Sequence, residues 1–233
     1  MIIFDEFETV KYIINNKVSI SRYGDGELKL CTGRSAKSQD WNPDIASKLR
    51  VILKSNLLKH IVGIPRIYDR NDWPTEAKRD FWNRYSGEKY STLYNPQKKY
   101  HSAFISRPDT NAELDSQEYF DLIKTIWADR NVLLCQGVGV GFNKTGTFFN
   151  NAASLQILYG SATNAFSQYK EIYKDIIKAT DRYTLIVLAL GPTATVLAYD
   201  LSFADRQALD LGHLGQYYAH THPKSKDLKN DWI

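Results

Sequence analysis

Arg22-Tyr23-Gly24-Asp25-Gly26-Glu27 holds the residues best suited to chemistry in this chain. Two carboxylates stand two positions apart, with Gly24 and Gly26 on either side of Asp25. They follow Val18-Ser19-Ile20-Ser21, a short alternating run that reads as a strand. Strand ends in α/β sheets are where ligands bind. Two carboxylates held close repel each other unless a proton or a cation joins them. Mg²⁺ or Mn²⁺ is the matching cation, because hard divalent ions prefer carboxylate oxygens and often share their shell with substrate phosphates. Asp25 and Glu27 are therefore candidate metal ligands. The competing reading is a surface turn, since Gly-Asp-Gly is good turn chemistry.

Other groups fall at expected strand ends. Ser106-Arg107-Pro108 places a guanidinium where it can clamp a phosphate or carboxylate, with a surface ion pair as the alternative. At Leu190-Gly191-Pro192-Thr193 an apolar strand runs into Gly-Pro and then a helix. Free backbone N–H groups and the helix dipole there favour an anion. Thr193 is expected chiefly to cap that helix and otherwise to hold a phosphate oxygen. Asp210-Leu211-Gly212-His213 ends the last strand, and His213 is suited to ligate metal, move a proton or hydrogen-bond a diphosphate. In a parallel sheet all these ends share one edge, and that convergence outweighs any single motif.

Two motif readings fail on their defining residues. Gly137-Val138-Gly139-Val140-Gly141 follows a strand, but its third glycine comes one place early for a dinucleotide fingerprint and no acid stands about twenty residues on. Gly141 and Gly146 have P-loop spacing, but Thr147 stands where lysine is required. An amide-rich loop able to approach a phosphate remains, with a plain connector as its equal. His220-Thr221-His222 is a weak metal pattern. Asn143-Lys144-Thr145 is a glycosylation sequon without meaning in a cytoplasmic protein.

The elements that must position these groups alternate. Helical periodicity is expected over Phe4 to Ile14, from Asn42-Pro43-Asp44 to Leu53, over Pro74 to Tyr85, Ser116 to Trp127, Ser167 to Ala179 and Thr193 to Phe203. Strands are expected at 18–23, His60 to Pro65, Ala103 to Ser106, Asn131 to Gln136, Tyr183 to Leu190 and Ala208 to Leu211. This alternation predicts a single α/β domain over 1–233, with a mostly parallel sheet and helices on both faces. The polar, aromatic-rich stretch 66–101 is read as an excursion that forms a lid or acceptor-side insertion.

Composition narrows the class. Hydrophobic residues at 43% and charged residues at 24% are those of an ordinary globular protein. Thirty basic and 26 acidic residues leave +4, too small and too scattered an excess for nucleic acid. Lys224, Lys226 and Lys229 are interleaved with Asp227 and Asp231 and read as a solvated tail. No apolar run reaches the roughly 18–20 residues of a membrane span. The start, MIIFDEFETV, has acids where a signal peptide has a basic region. Cys31 and Cys135 read as small buried residues rather than a disulfide framework. A cytoplasmic location is expected.

The segments ISRYGDGE, IVGIP, AFISRP, NAFSQY, LIVLALGPTATVLAYDL and ALDLGH, in that order over nearly the whole chain, resemble the bacterial GT-D glycosyltransferase family. The resemblance implies a Rossmann-like domain that transfers a hexose from a nucleotide sugar, usually a UDP-sugar. The acceptor would be a glycan or glycoprotein of surface polysaccharide or adhesin glycosylation. It also implies Mn²⁺ or Mg²⁺ held by an Asp-x-Glu motif, which Asp25 and Glu27 match. Donor contacts are then expected at Arg22, Gly24, Asp25, Gly26, Arg107, Gly191 and Thr193, and catalytic groups at Asp210 and His213. Family members typically carry Glu-Gly where this chain has Gln136-Gly137, and further acids where it has Leu214-Gly215-Gln216-Tyr217-Tyr218. A non-catalytic nucleotide-sugar-binding protein or partner subunit is therefore the alternative, and a dehydrogenase using the 137–141 glycines a distant third.

Overall fold

The computed structural model describes residues 1–67, 70–139, 141–142 and 146–222. The chain opens with β1 (Ile2–Ile3), α1 (Glu6–Asn16), β2 (Ser19–Arg22), α2 (Asp25–Cys31), α3 (Pro43–Lys54) and β3 (His60–Ile64). The next stretch carries α4 (Glu76–Asn83), the single turn α5 (Glu88–Ser91) and β4 (Lys99–Ser102). Then come α6 (Ser116–Lys124), β5 (Asn131–Gly137), β6 (Ser154–Gly160), α7 (Tyr169–Ala179), β7 (Leu185–Ala189), α8 (Pro192–Phe203), β8 (Gln207–Asp210) and α9 (Leu214–Thr221). One eight-stranded sheet has the order β1-β4-β3-β2-β8-β7-β5-β6. Every neighbouring pair is parallel, so the expected mostly parallel sheet is wholly so among the described residues.

Strand alternation divides the core. Val132, Leu134, Leu185, Val187 and Leu209 face one side, where α1, α6 and α9 supply Val10, Ile13, Phe120, Ile123 and Leu214, with Trp127 just after α6. Leu133, Cys135, Ile186, Leu188 and Ala208 face the other, against Ile172 and Ile176 of α7 and Ala194, Leu197 and Leu201 of α8. Farther along that second side, α2 and α3 bury Leu28, Leu30, Leu49 and Leu53. Helices thus cover both faces, and Cys31 and Cys135 are buried thiols as expected.

Three local readings are corrected. Ala103–Ser106 is a 3₁₀ turn, not a strand; the strand is Lys99–Ser102 just before it. Ser102 ends the strand, because its hydroxyl accepts from Phe104 N at 3.1 Å and starts the turn. β6 and α9 are elements that periodicity did not mark. β6 is an edge strand, buried only at Leu155 and Gly160, so its alternation is faint. The 66–101 stretch packs onto the core through Trp82, Tyr85 and Tyr90, which are buried in the cluster that holds Phe104. The lysine-rich tail and the Asn143-Lys144-Thr145 sequon lie outside the described residues.

The strand order changes direction between β2 and β8, the first going on to β3 and β4 and the other half of the sheet lying beyond β8. Ligands in open α/β sheets bind at such a point. Arg22, the last residue of β2, spans it. Its Nη2 donates to Asp210 Oδ1 at 3.0 Å and its Nε to Asp210 O. Nη1 donates to Ala103 O at 3.0 Å and to Ser106 Oγ. Asp210 Oδ2 accepts from Arg22 N at 3.3 Å and from Thr195 Oγ1 at 3.0 Å. One guanidinium therefore joins β2, β8 and the turn after β4. Its side chain is 10% exposed and that of Asp210 5%. Removing one partner leaves a buried charge alone. Arg22→Ala is expected to cost about 3–5 kcal/mol in urea unfolding, with Arg22→Lys, which keeps charge but not the fork, recovering part of it.

Candidate functional site

The acidic turn folds as the start of α2. Gly24 is its extended N-cap, and Glu27 Oε2 accepts from Gly24 N at 2.7 Å. This is half of a capping box in which glycine replaces the usual Ser or Thr. A Cβ on Gly24 would lie 3.2 Å from Glu27 Oε2, so the bare backbone makes the close approach easy. The two acids then differ. Asp25 meets Lys29 at 2.7 Å, one helical turn on, and its side chain is 38% exposed. Glu27 is 9% exposed. Burial, with the Asp210 carboxylate nearby, pushes its pKa up to about 7 against the pull of backbone N–H groups and Arg22.

Arg107 follows the 3₁₀ turn anchored by Arg22. It forks Asp109, Nε to Oδ1 at 3.0 Å and Nη2 to Oδ2 at 3.2 Å. Lys78 of α4 reaches the same carboxylate at 2.9 Å. The guanidinium also lies 5.2 Å from the ring centre of Tyr217 on α9. His213 stands at the start of α9, where its ring does not cap the helix. The ring is solvent-accessible on its outer side, yet the protein packed around it and the guanidinium groups of Arg22 and Arg107 lower its pKa. The charge of Asp25 acts on both Arg107 and His213. The ends of β2, β4 and β8 therefore place these three side chains within one another's field.

The start of α8 completes the edge. Gly191 is its N-cap with φ +55°, a conformation that favours glycine, and a Cβ there would lie 2.8 Å from Ser38 Oγ. Pro192 occupies the first turn, as expected for a residue without N–H. Thr193 does not cap the helix: its hydroxyl is buried and has no hydrogen-bond partner among the described residues. An unmade buried hydrogen bond costs on the order of 1–3 kcal/mol. Gly26 brings α2 close to this point, since a Cβ on it would lie 3.4 Å from Ala36 Cβ and 3.8 Å from Pro192 Cγ.

Two expected site residues serve as framework. Arg22, expected to touch the donor, spends its donors on Asp210, Ala103 and Ser106. Asp210, expected as a catalytic group, has both oxygens engaged by Arg22 and Thr195, which makes it an anchor rather than a free base. The described part of the glycine-rich loop is held as a connector. Gln136 Oε1 accepts from Phe142 N at 2.7 Å, and the Phe142 ring packs beneath Gly215 of α9. Val140 and residues 143–145 lie outside the described residues. His222 stacks on Tyr218 at 4.1 Å, a packing role. Ser106, Asp109, Lys78, Thr195 and Tyr217 were not singled out in the sequence. Only their nearness to strand ends could have marked them.

A metal can be tested against these groups. Among the described residues no cluster of three His, Cys, Asp or Glu side chains is placed to hold one alone. Glu27 is nonetheless a nearly buried carboxylate with Asp210 as an electrostatic neighbour, and an added cation would relieve that repulsion. The donor set of Asp25 and Glu27 suits a hard divalent ion that takes its remaining ligands from water and phosphate.

Known proteins share this fold and much of its sequence. Residues 20–229 match the family model described as glycosyltransferase GT-D fold. Glycosyltransferase GlyD of Streptococcus pneumoniae serotype 4 is 31% identical over 217 residues, which are 91% of this chain and 26% of that protein. A protein named "Probable glycosyl transferase Gly" from Streptococcus gordonii is 27% identical over 216 residues, 91% of this chain and 32% of that protein. The chain thus spans a third or less of these relatives' length. A solved domain of unknown function 1792, described as having a distinct glycosyltransferase fold, superposes with TM-score 0.86 at 31% identity, covering 98% of this chain and 84% of that one. A structure described as a new glycosyltransferase from Streptococcus sanguinis gives TM-score 0.86 at 28% identity, covering 97% and 86%. The chain belongs to the GT-D glycosyltransferase family.

Proposed function

We propose that this chain transfers a hexose from a nucleotide sugar, with a UDP-sugar as the donor class, to a glycan or glycoprotein acceptor, with Mn²⁺ or Mg²⁺ held by Asp25 and Glu27. The acceptor would belong to bacterial surface polysaccharide or adhesin glycosylation, as the family resemblance implies, and the relatives are glycosyltransferases of streptococci. One observation carries the reading: the under-neutralised Glu27 carboxylate lies on the same sheet edge as anion-seeking groups, namely Arg107 and the start of α8. A diphosphate with a divalent cation satisfies both at once.

The ion, when bound, neutralises the negative charge that develops on the departing nucleoside diphosphate. Arg107 and the first amides of α8 add to that stabilisation. Thr193 has an unused hydroxyl beside those amides. His213, whose lowered pKa keeps it neutral at pH 7, is placed to accept the acceptor's hydroxyl proton. Asp210 acts through Arg22, which holds the turn carrying Ser106 and Arg107. A second reading, donor binding without turnover, draws on Asp210 being tied up and on α9 opening with Leu214-Gly215-Gln216-Tyr217-Tyr218. Sustained UDP release from any UDP-sugar with Mn²⁺ excludes it.

Three outcomes test the site. Asp25→Ala and Glu27→Ala each lower turnover about a hundredfold or more, with unfolding midpoints little reduced. Normal turnover by either would remove the metal assignment. His213→Gln lowers kcat and removes an acidic limb lying below pH 6.5, the ordinary imidazole value. An unchanged pH profile would exclude His213 as the base. Glu27 itself makes stability depend on pH. Its folded-state pKa, about 7, exceeds the ordinary 4.5, so the folded chain binds more protons between these values. The Glu27 contribution is therefore full below pH 4.5 and lost as pH rises through 7. In metal-free buffer Glu27→Gln should melt above wild type at pH over 7, and this advantage should vanish near pH 4.5.

A further inference from the structure

The opposite edge of the sheet holds a cavity. It opens at the N-terminal ends of β2, β5 and β8, where Ser19, Asn131 and Gln207 lie on its wall, and its volume is about 590 Å³. Five cations line it, namely Lys17, Lys59, Arg130, Arg182 and Arg206, against two acids, Asp129 and Asp205. Lys59 and Asp205 neutralise each other at 2.6 Å. Among the described residues none of the three arginines has a carboxylate within ion-pair distance.

The arginines are nevertheless held in place, and by neutral groups. Arg130 Nη1 donates to Gln207 Oε1 at 2.8 Å and Ile126 O at 3.3 Å. Arg206 donates to Thr180 O at 3.0 Å and Ala204 O at 3.2 Å, while its buried Nε has no partner among the described residues. Arg182 donates to Tyr183 OH at 2.6 Å and lies over that ring. Burial of Arg130 without a compensating anion lowers its pKa. Asp181 is the other acid nearby; it is engaged by the Tyr183 and Thr184 amides and the Thr184 hydroxyl and feels Arg206, and Asp205 feels Arg182 and Arg206, in each case without forming an ion pair with the arginine. Fixed guanidinium forks without carboxylates suit phosphate oxygens, which they can bind two at a time. The cavity lies within the roughly 300–1,000 Å³ of small-molecule sites. Strands of four to seven residues separate it from the Asp25–His213 edge, a span of roughly 13–23 Å at about 3.3 Å per residue.

We propose that this cavity is a second anion site, which binds a small phosphate-bearing ligand through Arg130, Arg182, Arg206 and Lys17, apart from the donor site. The reading is independent of the glycosyltransferase proposal. The probe is inorganic phosphate, added to the ¹⁵N-labelled chain at constant ionic strength against chloride and followed by amide shifts. Shifts are expected at Ser19, Asn131, Tyr183 and Gln207. The double variant Lys17→Gln/Arg182→Gln changes two exposed side chains, so the fold should persist, and it should weaken binding about tenfold or more through loss of charge-assisted hydrogen bonds. Arg107→Ala, at the other edge, should leave these shifts intact. Shifts confined to Gly24, Gly191 and Arg107, no response to phosphate, or equal binding by the double variant would each overturn the proposal. So would a response to a poly-aspartate peptide without one to phosphate, which would assign the cavity to an acidic protein partner.

Discussion

The rest of the candidate site depends on the ion pair between Arg22 and Asp210. A wholly parallel sheet leaves all its strand C-termini on one edge, but it does not fix the loops that leave them. This pair does. Arg22 closes β2, Asp210 closes β8, and the same guanidinium binds Ala103 O and Ser106 Oγ in the turn after β4. Thr195 joins it from α8 by donating to Asp210 Oδ2 and to Arg22 O. Four chain segments remote in sequence are thereby held by one buried cluster. Burying two charges costs several kcal/mol per ion and is recovered only when the geometry is good and the remaining donors are satisfied. Here Asp210 is fully engaged, and Arg22 places its donors on three partners.

A second layer of buried polar bonds supports the first. Ser21, beside Arg22 in β2, donates to Thr195 O at 2.6 Å and meets His60 Nε2 of β3 at 2.8 Å. Burial pushes the His60 pKa down to about 3, so the ring stays neutral and works as a spacer between strands and α8. Glu27 is the exception in this framework. It caps α2 while remaining close to Asp210, and its raised pKa records the cost. Every other buried carboxylate of this edge has a guanidinium or ammonium partner within reach. A local charge conflict of this kind at a sheet edge is what the proposed cation site would use.

The strand-end logic was legible because it needs only the order of elements. Once strands and helices alternate, Asp25, Arg107, Gly191 and His213 must share an edge whatever their contacts. The roles of these residues were less legible. Arg22 and Asp210 read as binding and catalytic groups from type and position, and only the fold shows that they neutralise each other. Thr193 read as a cap because it follows Gly-Pro, but the helix begins at Pro192 with Gly191 as its cap, and the threonine falls two residues past that position. Ala103–Ser106 read as a strand because an apolar 3₁₀ turn and a short buried strand have the same composition; the distinguishing signal, the Ser102 hydroxyl turned onto Phe104 N, is a side-chain bond. β6 was missed because an edge strand needs only one face covered, and its exposed Tyr159 and Gln156 blur the alternation.

The basic cavity at the opposite edge has a structural explanation that must be weighed. Helices end at that edge, and cations favour helix C-termini. Arg206 donates to the C-cap carbonyls of α7 and α8, Thr180 and Ala204, and Lys17 is itself the C-cap of α1. A helix C-terminus carries roughly half an elementary charge, spread over several carbonyls and weakened by solvent. Such ends can orient a guanidinium but cannot match a full positive charge on each of four side chains. Asp129 supplies one unit, Asp205 is paired with Lys59 and acts more weakly on Arg182 and Arg206, and Asp181 acts on Arg206. Part of the remaining positive charge, on the half-buried Arg130 and Arg206, is turned onto a cavity of ligand size, while Lys17 and Arg182 at its rim also meet solvent, which screens them. Helix capping therefore accounts for the position of these cations, and among the described residues it leaves part of their charge for a bound anion to neutralise.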